Sequence, residues 1–244
     1  MNELTKIGKI HGTDKAGPQH NYTEKVYFHM LKNIRDKPLR ILELGAGDTG
    51  ASIKMWRDFL PNADVTLFDP FFITHSSVTV TVEEIKNLGV NVIVGNQLNR
   101  GDLQRLSPVN PADSEEEYYD IIIDDAAHVS DGIAISLANL LPKLKKNGCY
   151  IVEDLSCAKD RDNRLHDMNA WLDGEDVNQN IEKIYHKREV HLIDAYRQFQ
   201  QTGKWVTNNV LTPSEVDYLE NNIKNMTIFA DYNGAKNLAV IKKM

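Results

Sequence analysis

Two short motifs carry the chemistry that this sequence is best equipped to do: Asp124-Asp125-Ala126-Ala127-His128 and Glu153-Asp154. Each closes an apolar run, Tyr119–Asp124 (YDIIID) and Cys149–Glu153 (CYIVE), of the kind a buried strand uses. In a parallel sheet the strand C-termini share one edge, and ligands of open α/β sheets bind there. Asp125, Glu153 and Asp154 would then stand together. Carboxylates gathered in one place raise one another's pKa unless a cation lies between them. Oxygen ligands without cysteine suit Mg2+, Mn2+ or Ca2+ better than zinc. The alternative is that these acids cap helices or pair with lysines. His128 stands three residues beyond Asp125. An imidazole titrates near neutrality, at about 6.5, so His128 is the candidate general base beside Asp125. Its plainer role is a structural or exposed histidine.

A third motif stands where a first strand ends, Glu43-Leu44-Gly45-Ala46-Gly47-Asp48-Thr49-Gly50. Gly45, Gly47 and Gly50 satisfy G-x-G-x-x-G, which lets a backbone turn tightly against a nucleotide-like ligand. Asp69 closes the second strand and is placed to accept from both hydroxyls of a ribose. The pattern fits a dinucleotide or S-adenosylmethionine. Glu43 favours the second, because a carboxylate suits its cationic amino acid portion and repels a pyrophosphate. Glu43, the loop backbone at Gly45, Ala46 and Gly47, Asp69 and Asp124 are the predicted donor contacts. Upstream, His11-Gly12-Thr13-Asp14-Lys15 reads either as a flap that brings Thr13 and Lys15 to the donor's polar groups, or as a turn capped by Thr13 or Asp14.

Alternating strands and helices must position these residues. Strands are predicted at Leu39–Leu44, Asp64–Asp69, Val90–Val94, Tyr119–Asp124 and Cys149–Glu153. Between them lie the helical stretches ASIKMWRDFL, with Ile53, Trp56 and Leu60 on one stripe, and TVEEIKNLG, closed by Gly89. A further helix carries Ile133, Leu137, Leu140, Leu141 and Leu144 and is predicted to stop at Asn147-Gly148. This order implies right-handed crossovers and a doubly wound sheet. MTIFAD and NLAVIKK around Tyr232-Asn233-Gly234-Ala235 predict a closing hairpin. Tyr27, Phe28 and Met30 read as core, and PADSEEEYY as a solvated acidic loop. Residues 156–180 are polar and aperiodic, a candidate lid or a solvated insertion. The chain divides into an N-terminal flap and helix (1–37), a donor-binding core (38–155), the candidate lid (156–180) and C-terminal helices with the hairpin (181–244).

A net charge of −7 argues against a nucleic-acid partner. No apolar run approaches the roughly 20 residues of a membrane span. The N-terminus MNELTKIGKI has no apolar segment of the secretory kind, and Cys149 and Cys157 form neither a zinc pattern nor a disulfide framework. A cytoplasmic enzyme acting on a small molecule follows, with self-association left open.

Five stretches together resemble one family. They are His11-Gly12-Thr13-Asp14-Lys15 with His20 and Tyr22; ILELGAG running into SIKMWRDFLPNA; GNQLN; IIIDDAAH; and YIVEDL. The family is the metal-dependent sugar O-methyltransferases of macrolide biosynthesis. The resemblance implies a Rossmann-like class I methyltransferase fold: a mostly parallel seven-stranded sheet, helices on both faces and an antiparallel last strand. It implies Asp125, Glu153 and Asp154 as magnesium ligands and His128 as general base. It places Glu43, Asp69 and Gln97 at the donor's amino acid, ribose and adenine. Ala126-Ala127 stand where the family has Gly-Ser, and Asn96 and Asn99 where it has Asp. The aromatic residues expected after Glu153-Asp154 are missing from LSCAKDRDN, and 244 residues leave no room for the extra N-terminal domain of some members. The implied acceptor is a natural-product glycoside or a surface-polysaccharide precursor. A phenol, a non-sugar alcohol of a capsule precursor, a nicotinamide-dependent dehydrogenase and a silent binding module remain as alternatives.

Overall fold

A computed structural model of the chain describes residues 1–71, 79–106, 117–156, 192–206, 210–230 and 237–244. Five strands follow the apolar runs: β1 (Arg40–Leu44), β2 (Asp64–Asp69), β3 (Asn91–Val94), β4 (Tyr119–Asp124) and β5 (Leu144–Val152). Two more, β6 (Ile223–Ala230) and β7 (Asn237–Lys243), complete a seven-stranded sheet in the order β3-β2-β1-β4-β5-β7-β6. The first five pair in parallel, and β7 runs antiparallel to both β5 and β6. The predicted hairpin strands are therefore present. Their Asn-Gly turn, the candidate lid beyond Ser156, most of the acidic loop and Cys157 lie outside the described residues.

Side chains alternate along each strand, so consecutive residues enter different layers. Leu42, Leu44, Ile122, Tyr150 and Val152 join one core; Ile41, Val65, Leu67, Ile121, Ile123, Cys149 and Ile151 join the other. Helices α1 (Glu3–His11), α2 (Phe28–Leu31), α3 (Ala51–Phe59) and α4 (Val82–Lys86) flank the second core. Leu4, Leu31, Ile53, Trp56, Phe59 and Ile85 fill it. Helices α5 (Arg100–Gln104), α6 (Ser130–Leu140), α7 (Leu192–Thr202) and α8 (Pro213–Asn222) cover the first. The result is an α/β/α sandwich that turns about the β1–β4 pair.

Strands β1 and β3 each begin one residue later than expected, and the largest shift in bounds lies between α6 and β5. Helix α6 ends at Leu140, and Leu144 begins β5. Pro142 lacks the N–H that the next helical turn would need and terminates the helix. Asn147-Gly148 instead lies inside β5, with Asn147 left-handed at φ +61°. There the β4–β5 register jumps from Tyr119–Leu144 to Ile121–Cys149, and the extra residues of β5 loop out as a bulge.

Candidate active site

Register builds the site. Leu44 pairs with Phe68 and Asp124, and Asp124 pairs with Val152. The next residue on each strand is therefore Asp69, Gly45, Asp125 and Glu153, all on one edge. The ladder continues past the strand ends: Asp125 N–H donates to Leu44 O at 3.0 Å and Glu153 N–H to Asp124 O at 3.0 Å. Gly45 has φ +100°, and a Cβ there would collide with the Asp125 backbone carbonyl. Only glycine lets β1 and β4 meet so closely. Gly47, at φ +58°, faces open space where a Cβ would go, which leaves the loop backbone approachable.

Beneath this loop lies Glu43, with none of its surface exposed. Its Oε2 accepts from Trp56 Nε1 at 3.0 Å, while Oε1 has no hydrogen-bond partner among the described residues. Burial pushes this carboxyl up to about 7, against the pull of the Lys15 ammonium. Asp69 accepts from the backbone N–H groups of Ala46 and Phe71, which fixes its carboxylate at the loop's side.

Alternation also separates Asp124 from Asp125. Asp125 leaves the edge, whereas Asp124 turns into the layer of α6, only 1% exposed. Its oxygens accept from Gln97 Nε2 at 3.1 Å and from Tyr150 OH at 3.1 Å. Gln97 Nε2 also donates to Ser136 Oγ at 2.9 Å, and its Oε1 accepts from Ala127 N–H at 2.8 Å. Asp124 and Gln97, both expected to touch the donor, are thus engaged in a buried network that braces the loop before His128. Burial pushes Asp124 up to about 7, with Gln97 and Tyr150 opposing.

The remaining acids meet the N-terminal segment. Thr13 Oγ1 accepts from Lys15 N–H at 3.4 Å and caps the short turn Asp14–Ala16. From that turn the Lys15 ammonium bonds Asp125 Oδ2 and lies 3.0 Å from Glu153 Oε1 and 3.6 Å from Glu43 Oε1. Burial works against its charge, but Asp125, Glu153 and Glu43 outweigh it and hold the pKa well above the lysine range. Glu153, with Tyr27 OH also bonded to it, is pushed up by burial despite Lys15. Asp154 turns away from this group. It accepts from Tyr22 OH at 2.7 Å and lies 3.4 Å from His20 Nε2. Burial works against its charge, yet His20, Tyr22 and the nearby His128 hold its carboxyl well below the usual range. His128 Nε2 is 3.5 Å from Asp125 Oδ1.

The sequence reading set Asp125, Glu153 and Asp154 around one cation. The structure brings Asp125 and Glu153 to Lys15 and gives Asp154 to Tyr22 and His20. Among the described residues no three His, Cys, Asp or Glu side chains are disposed to hold a metal ion in this conformation. The pairing of acids with lysine, left open from the sequence, is what is seen. Tyr27 is buried core as predicted, but its hydroxyl also serves the site. Trp56, Tyr150 and Ser136 carry site hydrogen bonds that the sequence reading missed. Their only signal is a polar atom on an otherwise buried side chain, which ordinarily finds a partner.

No protein-family model matches the chain. It is 30% identical over 159 residues to the 8-demethyl-8-(2-methoxy-alpha-L-rhamnosyl)-tetracenomycin-C 3'-O-methyltransferase of Streptomyces olivaceus, a match covering 63% of this chain and 37% of that protein. It is 27% identical over 161 residues to the mycinamicin VI 2''-O-methyltransferase of Micromonospora griseorubida, covering 63% and 36%. The chain thus spans little more than a third of the length of these curated relatives. Among solved structures, the MycE methyltransferase in complex with Mg, SAH and mycinamycin VI superimposes with a TM-score of 0.60 at 22% identity, covering 99% of this chain and 54% of that one. The O-methyltransferase TomG of Streptomyces achromogenes, in complex with SAM, gives 0.51 at 13% identity, covering 100% and 91%. The fold is the Rossmann-like class I methyltransferase fold.

Proposed function

We propose that this chain is an S-adenosylmethionine-dependent O-methyltransferase, assisted by a divalent cation, acting on a hydroxyl of a sugar-containing small molecule. The observation that carries this reading is the edge where Gly45, Asp125 and Glu153 stand abreast over the buried Glu43. An open glycine loop, a ribose-accepting Asp69 and a buried Glu43 oxygen without a hydrogen-bond partner among the described residues fit the donor. Three hard-oxygen acids, Asp125, Glu153 and Asp154, on two neighbouring strand ends fit a divalent cation by chemistry. The relatives' names, sugar O-methyltransferases of polyketide and macrolide glycosides, support the acceptor class. A natural-product glycoside or a surface-polysaccharide precursor meets that description.

When bound, the donor supplies an already activated methyl group and the cation supplies charge to stabilise an alkoxide oxygen. The chain's own residues do the rest. Glu43 and the Gly45–Gly47 backbone hold the donor's amino acid end, and Asp69 holds its ribose. Asp125, Glu153 and Asp154 would hold the cation. His128 takes the acceptor's hydroxyl proton as the oxygen–methyl bond forms and the sulfur–methyl bond breaks. Orientation of the two reactants supplies up to roughly 7–11 kcal/mol of the barrier reduction.

The test is an acceptor panel of glycosides, phenols and simple alcohols, with S-adenosylhomocysteine release as readout, with and without Mg2+. Turnover on glycoside hydroxyls, abolished by EDTA and restored by Mg2+, is the expected result. Full activity in excess EDTA would remove the cation from the reaction. A co-purified nicotinamide nucleotide, seen by absorbance and mass spectrometry, would replace the donor assignment altogether.

A further inference from the structure

Lys15 is the unusual member of the site. Its ammonium is buried, 1% exposed, against Asp125 and Glu153, with Glu43 Oε1 3.6 Å away. Lysine is almost never fully buried without partners, and here the partners are two of the three acids that the function above gives to a cation. The turn that carries it is fixed: Thr13 caps it, and Gly8 of α1 packs so closely that a Cβ there would lie 2.7 Å from Ala16 Cβ. An ammonium offers donors only, so it occupies carboxylate oxygens as a metal ion would. Three carboxylates around one ammonium still leave an excess of negative charge, which a divalent cation would neutralise better.

We propose that Lys15 is the resident counter-ion of the acid cluster: its ammonium holds the Asp125 and Glu153 oxygens that a divalent cation takes up, and cation loading expels it. This rests on the cation-assisted reading above. The geometry supports competition, because both cations need the same two carboxylates and like charges repel at such range. Expulsion needs a change either in the Lys15 side-chain rotamer or at the turn Asp14–Ala16 that carries it.

Two measurements decide it. Mn2+ binding, followed by the loss of the free-ion electron paramagnetic resonance signal, is compared in the wild type, Lys15→Met and the double variant Lys15→Met/Glu153→Gln. Lys15→Met is expected to bind Mn2+ about tenfold more tightly or better, and the double variant to lose that gain. Lys15 acetylation by acetic anhydride, read by peptide mass spectrometry on the wild type, is expected to rise several-fold under saturating Mn2+. Equal or weaker Mn2+ binding by a folded Lys15→Met variant overturns the proposal. So does unchanged Lys15 acetylation in the Mn2+-saturated wild type, which decides the matter even if the variant misfolds. Binding by Lys15→Met alone, lost on adding Glu153→Gln, would show that the ammonium and the cation exclude one another but would overturn both the expulsion of Lys15 and cation assistance in the native chain. No Mn2+ binding by any form would overturn both.

Discussion

His128 and Asp154 both hold left-handed backbones, at φ +53° and +54°. Such conformations in non-glycine residues cost of order 1–3 kcal/mol and persist where the surroundings over-determine them. At His128 the surroundings are visible. Gln97 grips the preceding Ala127 N–H, Asp124 and Tyr150 hold the strand end, and Asp125 lies 3.5 Å from Nε2. With this bend the imidazole stands beside Asp125, at the edge proposed above for donor and acceptor. Because Asn tolerates the left-handed region better than most residues, His128→Asn removes the proposed base while sparing the backbone. Turnover should fall about 10²–10⁴-fold, with S-adenosylhomocysteine affinity within about a factor of two by calorimetry. Wild-type turnover in this variant would exclude His128 from proton transfer. The pair Asp124 and Asp125 shows what a sequence hides at this scale. Both read as site residues, but the two-residue period of the strand puts one inside the α6 layer and the other at the edge.

The elements were far more legible than their contacts. Strands β2 and β4 have the bounds that their apolar runs predict, and the predicted stripe is buried, with Ile53 and Trp56 in α3 and Leu60 capping it. Repeating periodicity survives in one dimension. What did not survive is the partnering of distant polar residues: nothing local to Lys15 says that its ammonium ends 110 positions along the chain at Asp125. Arg100 and Glu215 are a second case. Arg100, at the start of α5, donates from Nε to Glu215 Oε1 at 2.8 Å and from Nη2 to Oε2 at 3.0 Å, joining α5 to α8. Glu215 also completes the capping box of Thr212, a role that Gln can fill. Glu215→Gln therefore removes the ion pair, together with the bond that Oε1 accepts from Asn139 Nδ2 at 3.2 Å, and spares the cap. Burial tends to raise the Glu215 carboxyl, but Arg100 and Thr212 pull it down to about 2 from an ordinary 4.5. A depressed carboxyl stabilises above its unfolded pKa and loses that contribution as pH falls through the folded one. In urea titrations the wild type should exceed Glu215→Gln by about 1 kcal/mol at neutral pH, a modest value because the pair is partly solvated. The gap should shrink below about pH 4.5 and vanish near pH 2. A gap that persists at the acid end would assign the effect to something other than the ion pair.

Across the whole molecule the sheet edge is where like charge accumulates. Glu43, Asp125 and Glu153 gather at the β1–β4–β5 ends around the single Lys15 ammonium, in a chain whose net charge is already −7. Desolvating carboxylates that are incompletely neutralised is costly, and the raised pKa values of Glu43 and Glu153 express that cost. The ligand-free fold is therefore less stable than its two apolar layers alone would make it, and a ligand bearing positive charge at this edge relieves the deficit. S-adenosylmethionine carries a sulfonium and an ammonium against one carboxylate; S-adenosylhomocysteine lacks the sulfonium. At a hundredfold excess over its dissociation constant, a ligand specific for the folded state adds about 2.7 kcal/mol, or roughly 5–11 °C in Tm for a domain of this size. Compared at equal multiples of their dissociation constants, the two ligands should give equal shifts. Compared at equal concentration, S-adenosylmethionine should give the larger one, and the difference should narrow in Glu43→Gln. A thermal melt showing no shift with either ligand would mean that the edge does not bind the donor, whatever its geometry. A difference unchanged in Glu43→Gln would mean that the buried carboxylate does not sense the sulfonium and acts only on the ammonium that both ligands share.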